Sequence, residues 1–193
     1  PGDYQVKLVA SSDKGCKDTM SSAATRIRIR EQPEVSFDVK DSCFGGTIKF
    51  TNTTNNTANK WLTTKWDMDD GSIVYKDTFG YSYGSPGRYK VQLTMVLNNN
   101  CVDSFAKYIT VFPTPIAMFT PSSNNQCGQN KAIDFTNKST IDSGSLTYEW
   151  SFGDSVGSTD KDPSHTYGKP GDYQVKLVAS SDKGCKDTMS SAA

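Results

Sequence analysis

The sequence predicts an all-β chain laid out as a row of small two-sheet sandwiches, and three observations predict it. Apolar and polar residues alternate with a period of two, one long segment occurs twice, and a weaker repeat cuts the chain into sandwich-sized pieces. Tyr89, Val91, Leu93 and Met95 alternate with Lys90, Gln92 and Thr94, and Tyr173, Val175, Leu177 and Ala179 alternate with Gln174 and Lys176. Thr25-Arg26-Ile27-Arg28-Ile29-Arg30 puts Ile on one face and Arg on the other. Strands of this kind bury one face and wet the other. Loops rich in Asn, Ser, Gly and Asp fall at 51–59, 98–100, 121–130 and 142–145, and no segment has helical periodicity.

Residues 1–24 and 170–193 both read PGDYQVKLVASSDKGCKDTMSSAA, at an offset of 170 − 1 = 169. The identity includes Gln5, Lys7 and Lys14, solvent-facing positions that packing does not hold fixed. The chain therefore reads as a window of just over one period from a long array of near-identical units. Inside that period Cys43, Trp66, Pro86, Gly87, Tyr89 and Cys101 recur as Cys127, Trp150, Pro170, Gly171, Tyr173 and Cys185, at a constant offset of 150 − 66 = 84. Two domains share one plan. With boundaries at Glu31-Gln32-Pro33 and Pro113-Thr114-Pro115, residues 1–31 are the C-terminal hairpin of a partial domain. Residues 33–113 are a complete domain, and 115–193 a domain lacking its last strand. Proline at each joint favours a short, stiff linker. About seven short strands per domain match an immunoglobulin-like sandwich, with Trp66, Trp150, Tyr89 and Tyr173 as core anchors.

Composition removes several function classes. Lys plus Arg equals Asp plus Glu, 21 against 21, so no basic face argues for nucleic acid. No run approaches the roughly 18 apolar residues of a membrane-spanning helix, and no membrane insertion is expected in this segment. The chain opens at Pro1 without an initiator Met, so export and anchoring signals are expected elsewhere in a longer reading frame.

Five cysteines leave one over. Cys43 to Cys101 and Cys127 to Cys185 have the same spacing, 101 − 43 = 185 − 127 = 58, and each pair lies within a single domain. The expected bridges are Cys43–Cys101 and Cys127–Cys185, with the partner of Cys16, the copy of Cys185, outside the chain. Metal ligation is the rival reading, but there is no CxxC and a single His. Disulfides imply an exported protein.

Tyr148-Glu149-Trp150-Ser151-Phe152-Gly153-Asp154, then Pro163-Ser164-His165-Thr166-Tyr167, then Gly171-Asp172-Tyr173-Gln174-Val175-Lys176-Leu177 resembles the polycystic-kidney-disease (PKD) domain. Trp66-Asp67-Met68-Asp69-Asp70-Gly71 and Gly87-Arg88-Tyr89-Lys90-Val91-Gln92-Leu93 repeat the pattern less closely, with departures at Met68, Asp69, Ser151 and Ser155. Tandem PKD domains with cysteine pairs in identical long units resemble the repeats of the giant SprB-like gliding adhesins of the Bacteroidota. That resemblance implies a non-catalytic structural and adhesive unit of an extracellular, cell-surface filament used in adhesion and gliding motility. Its partners would be neighbouring identical repeats, a polysaccharide or substratum, and the surface motility machinery. The alternative is a polymer-binding PKD module of a secreted hydrolase, against which the identical duplication argues.

Smaller signals have plainer readings beside them. Asp67, Asp69 and Asp70 could hold Ca²⁺, but the remaining loop ligands are missing, and a solvated turn is the simpler reading. Asn52-Thr53-Thr54, Asn55-Asn56-Thr57 and Asn137-Lys138-Ser139 fit the N-glycosylation pattern. Thr19, Thr188 and Ser155 fit an O-glycosylation pattern that the Bacteroidota resemblance implies. His165 reads as a structural residue bonded to a neighbouring strand or turn. No catalytic set recurs, so no enzyme activity and no cofactor are expected.

Overall fold

The computed structural model describes residues 2–21, 27–29, 34–55, 61–97, 101–125 and 131–191. Among them the chain is all-β, without a helix. The strands are β1 (Gly2–Tyr4), β2 (Lys7–Ser11), β3 (Lys17–Ser21), β4 (Ile27–Ile29), β5 (Phe37–Asp38), β6 (Ser42–Cys43) and β7 (Ile48–Asn52). Next come β8 (Trp61–Asp67), β9 (Ile73–Val74), β10 (Thr78–Tyr81), β11 (Gly87–Leu97) and β12 (Val102–Phe112). The last are β13 (Phe119–Pro121), β14 (Ala132–Asn137), β15 (Leu146–Ser151), β16 (Gly157–Ser158), β17 (Ser164–Thr166), β18 (Lys176–Ser181) and β19 (Lys186–Ser190). The joint Glu31-Gln32-Pro33 and Cys127 lie outside the described residues.

The backbone gathers into two compact units. The first is Pro1–Val39 with Phe50–Phe79 and Lys90–Tyr108; the second is Lys40–Lys49 with Gly80–Tyr89 and Ile109–Ala193. The first unit is centred on Trp66, fully buried and met edge-on by Phe37, Phe50 and Phe79 at 5.0, 5.8 and 5.4 Å. Alternation in β11 puts Val91, Leu93, Met95 and Leu97 on this core, all at 0% exposure, while Gln92 faces solvent. Leu93 lies opposite Trp66 in the β8–β11 register. A slip by a single position would expose this whole row, so the apolar pattern fixes the register.

The second unit repeats the plan. Its core holds Phe119, Phe135, Trp150, Phe152, Val175 and Leu177, with Ile133, Tyr148, Tyr167 and Met189 packed against it. Three strands, in the order β13-β14-β17, form one of its sheets, and β16-β15-β18-β19 form another. Trp150 lies opposite Leu177 on β18 and Ser158 on β16. Strands β6-β12-β11-β8-β9 form a five-stranded sheet and β10-β7-β5 a three-stranded one. One pairing in the five-stranded sheet is parallel: β6 runs alongside the end of β12, with Ser42 opposite Val111 and Cys43 opposite Phe112.

Candidate functional site

Each tryptophan is held by more than its apolar surroundings. The Trp66 indole N–H donates to the Lys76 carbonyl at 2.8 Å, and that of Trp150 to the Asp160 carbonyl at 2.9 Å. The excursion after each Trp strand returns its backbone to the same place, and a buried indole keeps a hydrogen-bond partner. Both tryptophans lie in the cores. Tyr89 and Tyr173 differ, being only half-buried. Each stacks on an upstream tyrosine, Tyr83 at 3.8 Å and Tyr167 at 4.1 Å, and donates its hydroxyl to a carbonyl four residues earlier, of Ser85 or Lys169. This is the tyrosine corner of immunoglobulin-like sandwiches. The two tyrosines pin the turn into a strand rather than fill the core.

The motif turns solve one backbone problem in two ways. The turn after each Trp needs two left-handed residues: Asp69 (φ 64°) and Gly71 (φ 88°) in one domain, Gly153 (φ 86°) and Ser155 (φ 72°) in the other. Two of the departures from the PKD pattern therefore sit where the backbone favours glycine. Asp69 is offset because its carboxylate accepts the Lys90 amide at 2.8 Å. At the equivalent Gly153, a Cβ would lie 2.9 Å from the Gln174 carbonyl oxygen, so glycine is required.

The three turn carboxylates accept backbone amides. Asp67 takes the Asp69 N–H, Asp70 the Ser72 N–H and Asp69 the Lys90 N–H. Among the described residues no group of three His, Cys, Asp or Glu side chains is placed to hold a metal ion. Asp67, Asp69 and Asp70 are not brought together as a cation site.

His165 bonds a turn. Its Nε2 lies 2.8 Å from Asp154 Oδ2, and its ring stacks on Phe152 at 4.2 Å, nearly parallel. Partial burial raises the Asp154 pKa, but the His165 hydrogen bond, the Val156 amide and the imidazole charge outweigh it. The carboxyl sits below its ordinary value. Nearby, the Tyr167 hydroxyl donates to the Phe152 carbonyl at 2.9 Å. Burial first, then the Asp154 charge and Tyr173, push its pKa up to about 12.

The cysteines depart from expectation. Cys43 is bonded to Cys185, with Cα atoms 5.6 Å apart and a sequence separation of 142. The expected pairs Cys43–Cys101 and Cys127–Cys185 are thereby corrected, because each has a member committed to this bridge. Strand length gives the reason. Cys43 lies opposite Phe112 at the end of β12, whereas Cys101 immediately precedes its first residue. At about 3.3 Å per residue those positions are about 35 Å apart along the strand, and bridged Cα atoms lie within roughly 7 Å.

Both ends of the bridge are well seated within the second unit. On the Cys43 side the Phe44 amide donates to the Phe112 carbonyl at 2.7 Å, and the Thr114 hydroxyl donates to the Phe44 carbonyl at 2.7 Å. On the other side Cys185 is 1% exposed in the β18–β19 turn, its amide donating to Ser181 Oγ at 3.0 Å. A shallow cleft carrying Phe112, Pro113, Ile141, Ser143, Gly144, Ser181, Asp182 and Lys183 draws on both sides. Thr19, Thr188 and Ser155 are exposed.

Aromatic cores in small antiparallel sheets, tyrosine corners and capped turns define a class of tandem immunoglobulin-like β-sandwich modules. The chain belongs to the PKD-domain family, whose profile matches residues 30–111 and again 113–193. That family is a non-catalytic module type. Solved structures similar to it include the PKD1 domain of Vibrio anguillarum Epp, 18% identical with a TM-score of 0.39, covering 42% of this chain and 94% of that one. The PKD1 domain of the Vibrio cholerae metalloprotease PrtV is 22% identical with a TM-score of 0.39, covering 42% and 98%. The fibronectin(III)-like modules of Clostridium thermocellum CbhA are 13% identical with a TM-score of 0.43, covering 81% and 90%. Among the described residues no helix is long and apolar enough to cross a membrane.

Proposed function

We propose that this chain is a non-catalytic structural and adhesive repeat unit of a long extracellular filament at the cell surface, used in adhesion and gliding. One observation carries the reading: the identity of 1–24 and 170–193 extends to side chains that touch no core. Gln174, Lys176, Asp182, Lys183, Lys186 and Thr188 are all exposed, and each is matched in the earlier copy by Gln5, Lys7, Asp13, Lys14, Lys17 and Thr19. Packing does not hold such positions fixed, whereas recent copying within a long array does. Many copies present one surface many times, so weak contacts to a polysaccharide or substratum add by avidity. Neighbouring identical repeats and the surface motility machinery are the other partners. Exposed Thr19, Thr188 and Ser155 are open to O-glycosylation.

The test is immunogold labelling of intact cells with antibody to the β18–β19 hairpin, alongside a count of the long repeat unit in the full reading frame. Many copies and label along surface filaments are expected. One or two copies beside a hydrolase domain, with antigen in the culture fluid, would overturn the reading in favour of a polymer-binding accessory module.

A further inference from the structure

We propose that the β2–β3 hairpin is a docking element for a second copy of this chain. Its exposed apolar face seats on that copy's Trp150 core in place of the resident β18–β19 hairpin, and Cys16 takes that copy's Cys43. The inference rests on the repeat reading, which makes neighbouring copies partners, and specifies the surface by which they meet.

The occupant of the exposed face is read from the molecule itself. Leu8, Ala10 and Met20 are the same residues, in the same 24-residue stretch, as Leu177, Ala179 and Met189. Leu177 lies in the core with Phe119, Phe135, Trp150 and Phe152, Ala179 is at 0% exposure, and Met189 packs against that core. Within residues 1–193 Leu8 and Met20, opposite one another in the β2–β3 register, are 65% and 74% exposed. The backbone repeats the contrast. β18 pairs with β15, from Leu146 opposite Ser181 to Ser151 opposite Lys176, whereas among the described residues β2 pairs with β3 alone. The outer edge of β2 therefore offers β15 of a second copy the same hydrogen-bonding groups that β18 offers at home.

The free hairpin already has its docked shape. The Ser12 amide donates to the Cys16 carbonyl at 2.9 Å and the Ser181 amide to the Cys185 carbonyl at 2.7 Å. The cysteine amide donates back to the serine hydroxyl in both, at 3.2 and 3.0 Å. Little ordering is left to oppose docking.

The cysteines decide which hairpin stays. Cys16 is an exposed free thiol, while its copy Cys185 is bonded to Cys43. A docked β2–β3 hairpin brings Cys16 to the place of Cys185. The Cys16 thiolate then attacks Cys43 Sγ and the Cys43–Cys185 bond breaks. Cys185 leaves with the electron pair and takes up the proton that Cys16 released, so no outside oxidant enters. The two hairpins have identical contacts to offer, and the bridge is the latch that holds the resident one against exchange between copies.

The test mixes equal amounts of isotopically light and heavy 193-residue chain carrying Cys185→Ala, which frees Cys43. Glutathione disulfide is the oxidant, and its reduction to two thiols takes up the two electrons of each new bond. After alkylation, cleavage behind Glu31, Glu34 and Glu149 puts Cys16 in 1–31 and position 185 in 150–193; trypsin then isolates Cys43 in 41–49. Light Cys16 peptides joined to heavy Cys43 peptides are expected. Adding Leu8→Asp, which would bury a carboxylate on docking, should lower their yield by about tenfold or more. In the parent chain the resident hairpin competes at an effective concentration of about millimolar, so the mixed link should form in millimolar protein and be lost in micromolar. Cys16–Cys43 links confined to single molecules, equal yields with and without Leu8→Asp, or no link in either chain would overturn the proposal. Copy number in the reading frame bears on the repeat reading alone, because docking is measured between isolated chains.

Discussion

Two hairpins in this chain have one sequence and two fates. Lys7–Ser21 and Lys176–Ser190 pair in the same register, Leu8 opposite Met20 and Leu177 opposite Met189. Both turns place glycine at positive φ, Gly15 at 80° and Gly184 at 82°. Within residues 1–193 β2 and β3 pair only with each other and Leu8 is 65% exposed, whereas Leu177 is fully buried in the Trp150 core. The turn, the register and the facing of side chains are thus written into the repeated stretch itself. Burial is supplied by the strands around it. Covering a Leu side chain contributes about 1.5–3 kcal/mol, so identical local structure carries very different stability.

Paired substitutions sharpen that contrast. Leu177→Ala removes a fully buried side chain and is expected to cost about 3 kcal/mol in urea unfolding. Leu8→Ala in the same 193-residue chain, where the matching position is exposed, should stay within about 0.5 kcal/mol. Equal costs at the two sites would break the comparison. Gly184→Ala forces a Cβ into the left-handed region, with nothing within 4 Å of it. Its cost is therefore purely backbone, about 1 kcal/mol by thermal unfolding.

The motif turns give a smaller, opposite-signed pair. Ser155→Gly relieves a left-handed serine and should raise stability by about 0.5 kcal/mol after glycine's larger chain entropy is counted. Asp69→Gly relieves similar strain but discards the Lys90 amide bond, so denaturant midpoints should show net destabilisation there.

The least effect is in pH. Asp154 titrates below its ordinary value in the folded domain. Its contribution is present above the unfolded carboxyl pKa of about 3.9 and is lost as pH falls through the lower folded value. Melting temperatures of the parent chain and Asp154→Asn should therefore differ above about pH 4 and converge in stronger acid. Curves that stay parallel into strong acid, to about pH 2, would remove the His165–Asp154 pair from the account.

Legibility followed the range of the signal. Period-two alternation in 89–95 and the recurrence of Trp66 as Trp150 are local or periodic facts, and the sandwiches follow from them. The turn role of His165 was readable, but its Asp154 partner was not, because their meeting depends on how the turn closes. Tyr89 and Tyr173 looked like core residues because alternation marks a face without showing how deeply each end of a strand is covered. The cysteines misled because the equal spacings of the two pairs suit bonding inside each domain. What decides is that β6 runs parallel to the far end of β12, placing Cys43 a strand's length from Cys101. The long apolar-polar run before Pro113 was the available clue to that distance.

The claim that the two matched domains are covalently joined is tested most directly by proteolysis without reductant and mass spectrometry of the alkylated 193-residue chain. The account predicts that peptides bearing Cys43 are recovered joined to peptides bearing Cys185, and that reductant separates them. Recovery of Cys43 joined to Cys101, or of Cys185 joined to Cys127, would contradict it.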